Sequence, residues 1–180
     1  MLYGKFYFLM MFSIFSSLSY ASLIDSWSGY HDSSCSWLFG TSSFSAPTTY
    51  SNDCLHERVN NTFGTVVSWN DGTPGNDYPG ITFTPNKTGR YFVCAEVVAE
   101  INGGPDKGNL ELTDGTAIVA KAEVSLPAGY EVTLPLCGIY EATSTSPVTL
   151  QIKGKSPTQN VLVHSSASDD VITWSIFQID

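Results

Sequence analysis

Two turn-rich stretches hold the side chains best suited to contact a ligand. An aromatic ring beside amides and carboxylates suits a sugar, which has an apolar ring face edged with hydroxyls. Because loops carry function on a rigid scaffold, we expect both stretches to form a ligand site at one end of the fold. Taken singly, each residue is also an ordinary turn former or, for the tryptophan, a core residue. The candidates are Trp69, Asp71, Asn76, Asp77 and Tyr78 in the first loop, and Asn102, Asp106 and Asn109 in the second.

Calcium is the metal ion that these polar turns suit best, because their hard oxygen ligands match its chemistry. Asp114 and the pair Asp169 and Asp170 add further carboxylates. No twelve-residue EF-hand loop occurs in the sequence, and aspartate and asparagine are common in turns. We therefore predict no cofactor and no metal ligand, with calcium as the alternative.

Catalytic groups are sparse. The histidines are His31, His56 and His164, and the Gly-x-Ser-x-Gly elbow of one hydrolase class is missing from the sequence. Six glutamates occur mostly at strand positions that alternate with apolar residues, which indicates a solvated outer face rather than two carboxyls across a cleft. We predict no enzymatic activity and no catalytic residue, with a small glycan hydrolase as an alternative. These six of the chain's seven glutamates are Glu96, Glu100, Glu111, Glu123, Glu131 and Glu141.

Four cysteines predict two disulfides, and they permit three pairings. We favour Cys35 with Cys54 and Cys94 with Cys137, because the first pair staples one segment and the second lies in the strand-rich part of the chain. A zinc site is disfavoured because no two cysteines are two to four residues apart.

The N-terminus has the pattern of a signal peptide. One positive charge at Lys5 precedes an apolar run over 6–15, and small residues at Ser19 and Ala21 match a cleavage site. We predict a leader over 1–21, a disulfide-stapled N-terminal segment over 22–60 and a body over 61–180 of the same domain. No later stretch is long and apolar enough to span a membrane. The predicted location is secreted, extracellular or periplasmic, with attachment to a cell surface possible.

The charge of the chain excludes one class of partner. Its net charge is −9, from eight Lys plus Arg and 17 Asp plus Glu. Nucleic acid binding requires a concentrated basic surface, so nucleic acid is not an expected partner.

Short strands between turn signals fill the rest of the chain. Beyond the leader, β-branched and aromatic residues alternate with polar ones between Gly, Pro, Asn and Asp clusters, and no window has a helical period. About eight or nine strands of this kind indicate an antiparallel sandwich or barrel. The N-terminal segment is expected to add one or two of them.

Two strand candidates are apolar on both faces. In a two-sheet sandwich only one face of each sheet meets the core, so the second face needs a partner subunit to cover it. The predicted interface residues are Tyr91, Phe92, Trp174, Phe177 and Ile179.

Two stretches resemble a known group of jelly rolls. Residues 80–93 read GITFTPNKTGRYFV, a short strand, a turn with proline and glycine, and an aromatic-rich strand; residues 172–179 read ITWSIFQI at the end of the chain. This order is similar to that of the tumour necrosis factor-like and complement globular-head jelly rolls. The resemblance implies an all-β, two-sheet antiparallel jelly roll that forms homotrimers, as in bacterial and phage fibre tips and adhesins. The four cysteines and the N-terminal segment that carries two of them depart from this pattern.

The sequence thus predicts a secreted recognition or adhesion module that binds a glycan or protein on a cell surface. A small carbohydrate-active hydrolase and a structural cap subunit are the alternatives.

Overall fold

The computed structural model describes residues 26–31, 35–40, 44, 47–50, 56–62, 66–69, 79–102, 106–127, 129–165 and 172–179. The leader predicted over 1–21 lies outside them, as do Cys54, Asp71, Asn76, Asp77 and Tyr78. In the described ranges every regular element is a β-strand. No helix there is long and apolar enough to cross a membrane.

Thirteen strands lie in the described ranges, more than the eight or nine that the sequence predicts. They are β1 (Ser26–His31), β2 (Cys35–Phe39), β3 (Pro47–Tyr50), β4 (His56–Thr62), β5 (Val66–Trp69), β6 (Gly80–Thr84), β7 (Gly89–Asn102), β8 (Asp106–Thr113), β9 (Ile118–Leu126), β10 (Glu131–Ala142), β11 (Val148–Lys155), β12 (Asn160–Ser165) and β13 (Ile172–Gln178).

The extra strands come mainly from the N-terminal segment, where β1 to β4 replace the one or two strands expected. That segment is rich in Ser, Thr and Asn, which favour loops when taken locally. Its strands nevertheless pair with later ones, β1 with β13 and β2 with β12. Tertiary pairing therefore overrides the local preference.

The strands form two sheets in which every pair is antiparallel. Seven strands of the larger sheet follow the order β3-β2-β12-β7-β13-β1-β4. β12 and β13 share one edge of β7, and β10, the eighth strand, pairs with the opposite edge. The smaller sheet has the order β5-β6-β11-β8-β9. The predicted two-sheet antiparallel jelly roll is confirmed.

β7 organises the larger sheet. One edge of β7 pairs with β12 along its second half and with β13 along its first half, while the other edge pairs with β10 throughout. β13 lies between β7 and β1, so the last strand of the chain occupies the interior of the sheet. Alternate residues of these strands face the smaller sheet and form the core.

The core contains the large apolar side chains predicted from the period of two. Trp174 on β13 and Tyr91 on β7 belong to one buried cluster with residues of the smaller sheet, and the ring centroids of Phe83 and Tyr91 are 5.2 Å apart in an edge-to-face pair. Other buried members include Phe39, Ile81, Leu110, Leu112, Leu136, Leu150 and Ile152.

The sheets approach each other closely where β10 passes the start of β9. A Cβ added to Gly138 on β10 would overlap the backbone carbonyl oxygen of Val119 on β9. Only glycine allows this contact between the backbones, which closes one edge of the sandwich.

A hairpin turn at Asp114 and Gly115 joins β8 to β9. The Asp114 carboxylate accepts hydrogen bonds from the backbone N–H groups of Thr116 (2.8 Å) and Ala117 (2.6 Å). Gly115 has a φ of 91°, which favours glycine at this position.

Candidate functional site

Three connections meet at one end of the sandwich, which we call the loop end. β7 leads to β8, β9 leads to β10, and β11 leads to β12 at this end. Asn102 pairs with Asn160 across β7 and β12, and Asp106 pairs with Leu126 across β8 and β9. Tyr130 lies between β9 and β10 with 63% of its surface exposed. The fold therefore brings polar residues and one exposed aromatic ring to the loop end.

Asp106, the first residue of β8, is hydrogen-bonded to the β11–β12 connection. Its Oδ2 atom accepts hydrogen bonds from the Ser156 hydroxyl (2.7 Å), the Thr158 hydroxyl (2.9 Å), the Thr158 backbone N–H (3.0 Å) and the Gln159 backbone N–H (3.1 Å). The hydrogen bond from Ser156, with those from the Lys107 backbone and from Thr158, holds the pKa of this carboxyl well below its usual range. Asp106 therefore positions the loop end, and a ligand would have to approach its other oxygen.

The second predicted loop is shorter than expected. Asn102 is the last residue of β7, and Asp106 to Asn109 belong to β8, so the interpretation of 102–109 as one loop is wrong. Gly, Pro, Asn and Asp indicate turns locally, but here β8 pairs with β9 and β11, and these ladders extend the strand. Asn109 lies opposite Glu123 and Lys155 on the smaller sheet, away from the loop end.

Trp69 and Asp106 lie at different levels of the sandwich. Trp69 is the last residue of β5 and pairs with Ile81, which pairs with Leu150 on β11. Asp106 lies beyond the level of Lys155 on the same strand. This offset corresponds to about 25 Å along a strand. The backbone of β5 therefore does not bring Trp69 beside Asp106, and the other residues of the first loop lie outside the described ranges.

Four apolar side chains form a patch on the outer face of the larger sheet, at the end opposite to the loop end. Phe92 pairs in register with Phe177 on one side and with Ile139 on the other, and Ile179 follows in the next row. The rings of Phe92 and Phe177 are stacked with centroids 4.8 Å apart. Phe177, Ile179 and Ile139 are 40%, 42% and 49% exposed. We call these four residues the apolar patch.

The predicted interface residues divide between the two faces. Phe92, Phe177 and Ile179 belong to the apolar patch. Tyr91 and Trp174 are buried in the core of the single chain, at 0% and 1% exposure, so neither is accessible to a partner subunit. Successive strand residues point to opposite faces, and the inner face of each strand meets the smaller sheet.

Ile139 is a member of the patch that the sequence prediction omitted. A signal for it was present, because pairing Cys94 with Cys137 in an antiparallel ladder sets Ile139 opposite Phe92. The Cys94–Cys137 disulfide joins β7 to β10 on the same face, one row from the patch, and this predicted pair is confirmed. The predicted pair of Cys35 and Cys54 includes a residue outside the described ranges.

Two of the histidines, His31 on β1 and His56 on β4, are partners in the pairing of those strands. Within the described residues, no three or more His, Cys, Asp or Glu residues are grouped so as to hold a metal ion. Calcium binding and the ligand role of the loops stay predictions. His164 lies in β12 opposite Ser36 of β2.

Glu111 differs from the solvated glutamates that the alternation predicts. It faces outward from β8, yet it is 7% exposed, and its carboxylate lies 3.7 Å from the Lys121 ammonium group. Lys121 and Lys153 flank Glu111 on the neighbouring strands. The prediction of a solvated position is wrong for this residue, because basic side chains from both neighbours surround it.

The known proteins that resemble this chain do so in fold. No family model matches the sequence, and no curated protein matches it. Among solved structures, the Eiger TNF of S. frugiperda is 8% identical, with 87% of this chain and 93% of that chain covered at a TM-score of 0.48. The PRD1 vertex protein P5 is 14% identical, with 87% and 97% covered at a TM-score of 0.45.

The globular domain of the zebrafish complement 1qA protein is 13% identical, with 82% of this chain and 98% of that chain covered at a TM-score of 0.34. A tumour necrosis factor and a complement globular domain, the two kinds of jelly roll that the sequence resembles, are thus among the structural neighbours of this chain.

Proposed function

We propose that this chain is an exported recognition or adhesion module that assembles as a homotrimer and binds a glycan or protein ligand through its loop end. The Cys94–Cys137 disulfide supports export, because disulfides persist in oxidising compartments. The threefold assembly is suggested by the sequence resemblance to the tumour necrosis factor-like jelly rolls.

The apolar patch is the observation that carries the proposal. Phe177, Ile139 and Ile179 expose between 40% and 49% of their surfaces on one face, beside the half-buried Phe92. Contiguous exposed apolar surface typically marks a site of association, because water disfavours it. Other copies of the chain would cover this face, which explains why β7 and β13 are apolar on both sides.

The loop end would remain free in such an assembly. It lies at the opposite end of the sandwich from the apolar patch, and its strands are held together by the Asp106 hydrogen bonds. A rigid scaffold that presents polar side chains and the exposed Tyr130 ring suits recognition of a sugar or a polar protein surface.

The assembly is tested by light scattering of the chain at micromolar concentration. We expect three chain masses for the wild type and a large shift towards one chain mass for Phe177→Asp, because a carboxylate in the patch would be desolvated on association. Tyr130→Asp is the matched control, since it places the same charge on an exposed aromatic position at the loop end. A wild-type mass of one chain, or equal dissociation of both variants, would contradict the trimer.

Ligand binding is tested on a glycan array with the chain lacking its predicted leader. We expect binding to one group of glycans that Tyr130→Ala at the loop end weakens by about tenfold, as expected for one lost aromatic contact to a ligand. Thr145→Ala, at an exposed turn of the opposite end, should leave the signal unchanged. An empty array, together with no binding to host-surface proteins, would refute the recognition role.

A further inference from the structure

The outer face of the smaller sheet concentrates positive charge in an acidic protein. Four of the chain's eight lysines and arginines lie on β8, β9 and β11 at positions that face outward. Among the described side chains of this face, only Glu111 and Glu123 are acidic. We call this surface the basic face; its lysines are Lys107, Lys121, Lys153 and Lys155.

The aromatic ring of Phe44 lies close to the ammonium groups of two of these lysines. The Lys155 ammonium group lies 4.5 Å from the centroid of the Phe44 ring, and the Lys121 ammonium group lies 5.3 Å from the same centroid. A cation above an aromatic face is attracted by the ring quadrupole. Phe44 therefore keeps two like charges at neighbouring positions that their mutual repulsion would otherwise disfavour.

The acidic residues of this face do not neutralise it. Glu111 lies 3.7 Å from Lys121 and is almost wholly buried beneath the lysines, so it is poorly accessible to a partner. Glu123 is paired with Lys107, their charged atoms 3.3 Å apart. Among the described residues of this surface, four lysines thus exceed two carboxylates, while the net charge of the whole chain is −9.

We infer that the basic face binds an anionic polysaccharide, one that carries sulfate or carboxylate groups along an extended chain. The charges lie on the flat face of a sheet, across strands about 4.8 Å apart, with Lys153 and Lys155 two residues apart on β11. A long polyanion can contact such dispersed charges together. An acidic peptide typically pairs with a sheet edge or fills pockets, whereas these charges lie on the face.

This inference goes beyond the proposed function, because the basic face is distinct from both the loop end and the apolar patch. It requires neither a trimer nor a ligand in the loops. The two experiments can therefore fail independently, since Phe177→Asp and Tyr130→Ala leave the four lysines in place.

The test is binding of the full chain without its predicted leader to heparin, a sulfated polysaccharide. We expect binding at low salt that weakens as ionic strength rises. Lys155→Glu and Lys121→Glu should each lower the affinity on the order of tenfold, because each replaces an attraction with a repulsion. Lys87→Glu is the matched control; it makes the same change at an exposed lysine outside the basic face and should have at most a twofold effect.

A variant that gains affinity for heparin separates a lost contact from a folding defect, because a misfolded chain would not bind more tightly. Asn109 lies between Glu123 and Lys155 on the same face, so Asn109→Lys adds a charge there and should strengthen heparin binding severalfold. Three outcomes would overturn the inference: no heparin binding at low salt, equal losses in Lys155→Glu and Lys87→Glu, or binding to phosphatidylserine vesicles or polyglutamate in preference to heparin.

Discussion

The outer faces of the two sheets are built on the same alternation but carry opposite chemistry. On the larger sheet, neighbouring strands place Phe177, Phe92 and Ile139 side by side. On the smaller sheet, the corresponding row is Lys121, Glu111 and Lys153. The inner faces are largely apolar because they share one core. The inner positions therefore specify the jelly roll, and the outer positions are free to differ according to what each face contacts.

The largest expected effect separates the two faces of a single strand. Trp174 and Phe177 both lie on β13, but Trp174 is buried in the core and Phe177 is 40% exposed. Trp174→Ala should lower the free energy of unfolding by about 3–5 kcal/mol through lost burial and a cavity. Phe177→Ala should cost under about 1 kcal/mol in the isolated chain. Urea unfolding at one fixed low protein concentration measures both, and similar losses would mean that the outer face is part of a core within the chain.

Cross-strand links on the two outer faces give the next largest contrast. The Cys94–Cys137 disulfide closes a sequence separation of 43 residues on the larger sheet. Removing both sulfurs in the double variant Cys94→Ala with Cys137→Ala should cost about 2–4 kcal/mol, because the unfolded chain regains freedom.

The ion pair of Lys107 and Glu123 is the matched link on the basic face, with 61% and 56% of the side chains exposed. Water screens exposed pairs, so Lys107→Ala should change the free energy of unfolding by less than about 0.5 kcal/mol. Urea unfolding of both variants tests the contrast. A loss of 2 kcal/mol or more in Lys107→Ala would show that charge on the basic face serves stability rather than binding.

The sequence predicts the inner faces better than the outer ones. Alternation divides the residues of β7, β11 and β13 into two faces, because side chains on a strand have a fixed period of two, and in β11 it also identifies the buried face. In β7 and β13, however, the period does not determine which of the two faces is buried. It therefore does not predict that Tyr91 and Trp174 face the core while Phe92 and Phe177 face outward. That choice depends on which sheet lies opposite, and it is set by pairings such as β1 with β13.

The basic face is harder still to predict. Lys121 and Lys155 are 34 residues apart in the sequence, and they meet over Phe44, which follows β2 in the N-terminal segment. Nothing local in the sequence relates these three residues. The Asp106 hydrogen bonds likewise join β8 to a connection about 50 residues later. The local pattern therefore predicted a turn residue at Asp106, whereas in the fold this residue links two distant parts of the chain.

The smallest effect concerns Asp106, which links the smaller sheet to the connection that enters the larger one. Its pKa in the folded chain is lowered by hydrogen bonds from Ser156, from the Lys107 backbone and from Thr158. A carboxyl whose pKa is lower in the folded than in the unfolded state stabilises the fold above its unfolded pKa of about 3.9. That stabilisation is lost progressively as the pH falls below that value towards the folded pKa.

Asp106→Asn keeps the shape of the side chain and removes the charge, so it should lower the melting temperature modestly at pH 7 and converge with the wild type as the pH falls towards 2. Melting curves from pH 7 to pH 2 measure this difference. Asp114→Asn is the matched control, since Asp114 also accepts two backbone hydrogen bonds but holds a turn within one sheet. A melting difference between Asp106→Asn and the wild type that stayed constant over the whole range would show that shape and hydrogen-bond number, rather than the charge, fasten β8 to the β11–β12 connection.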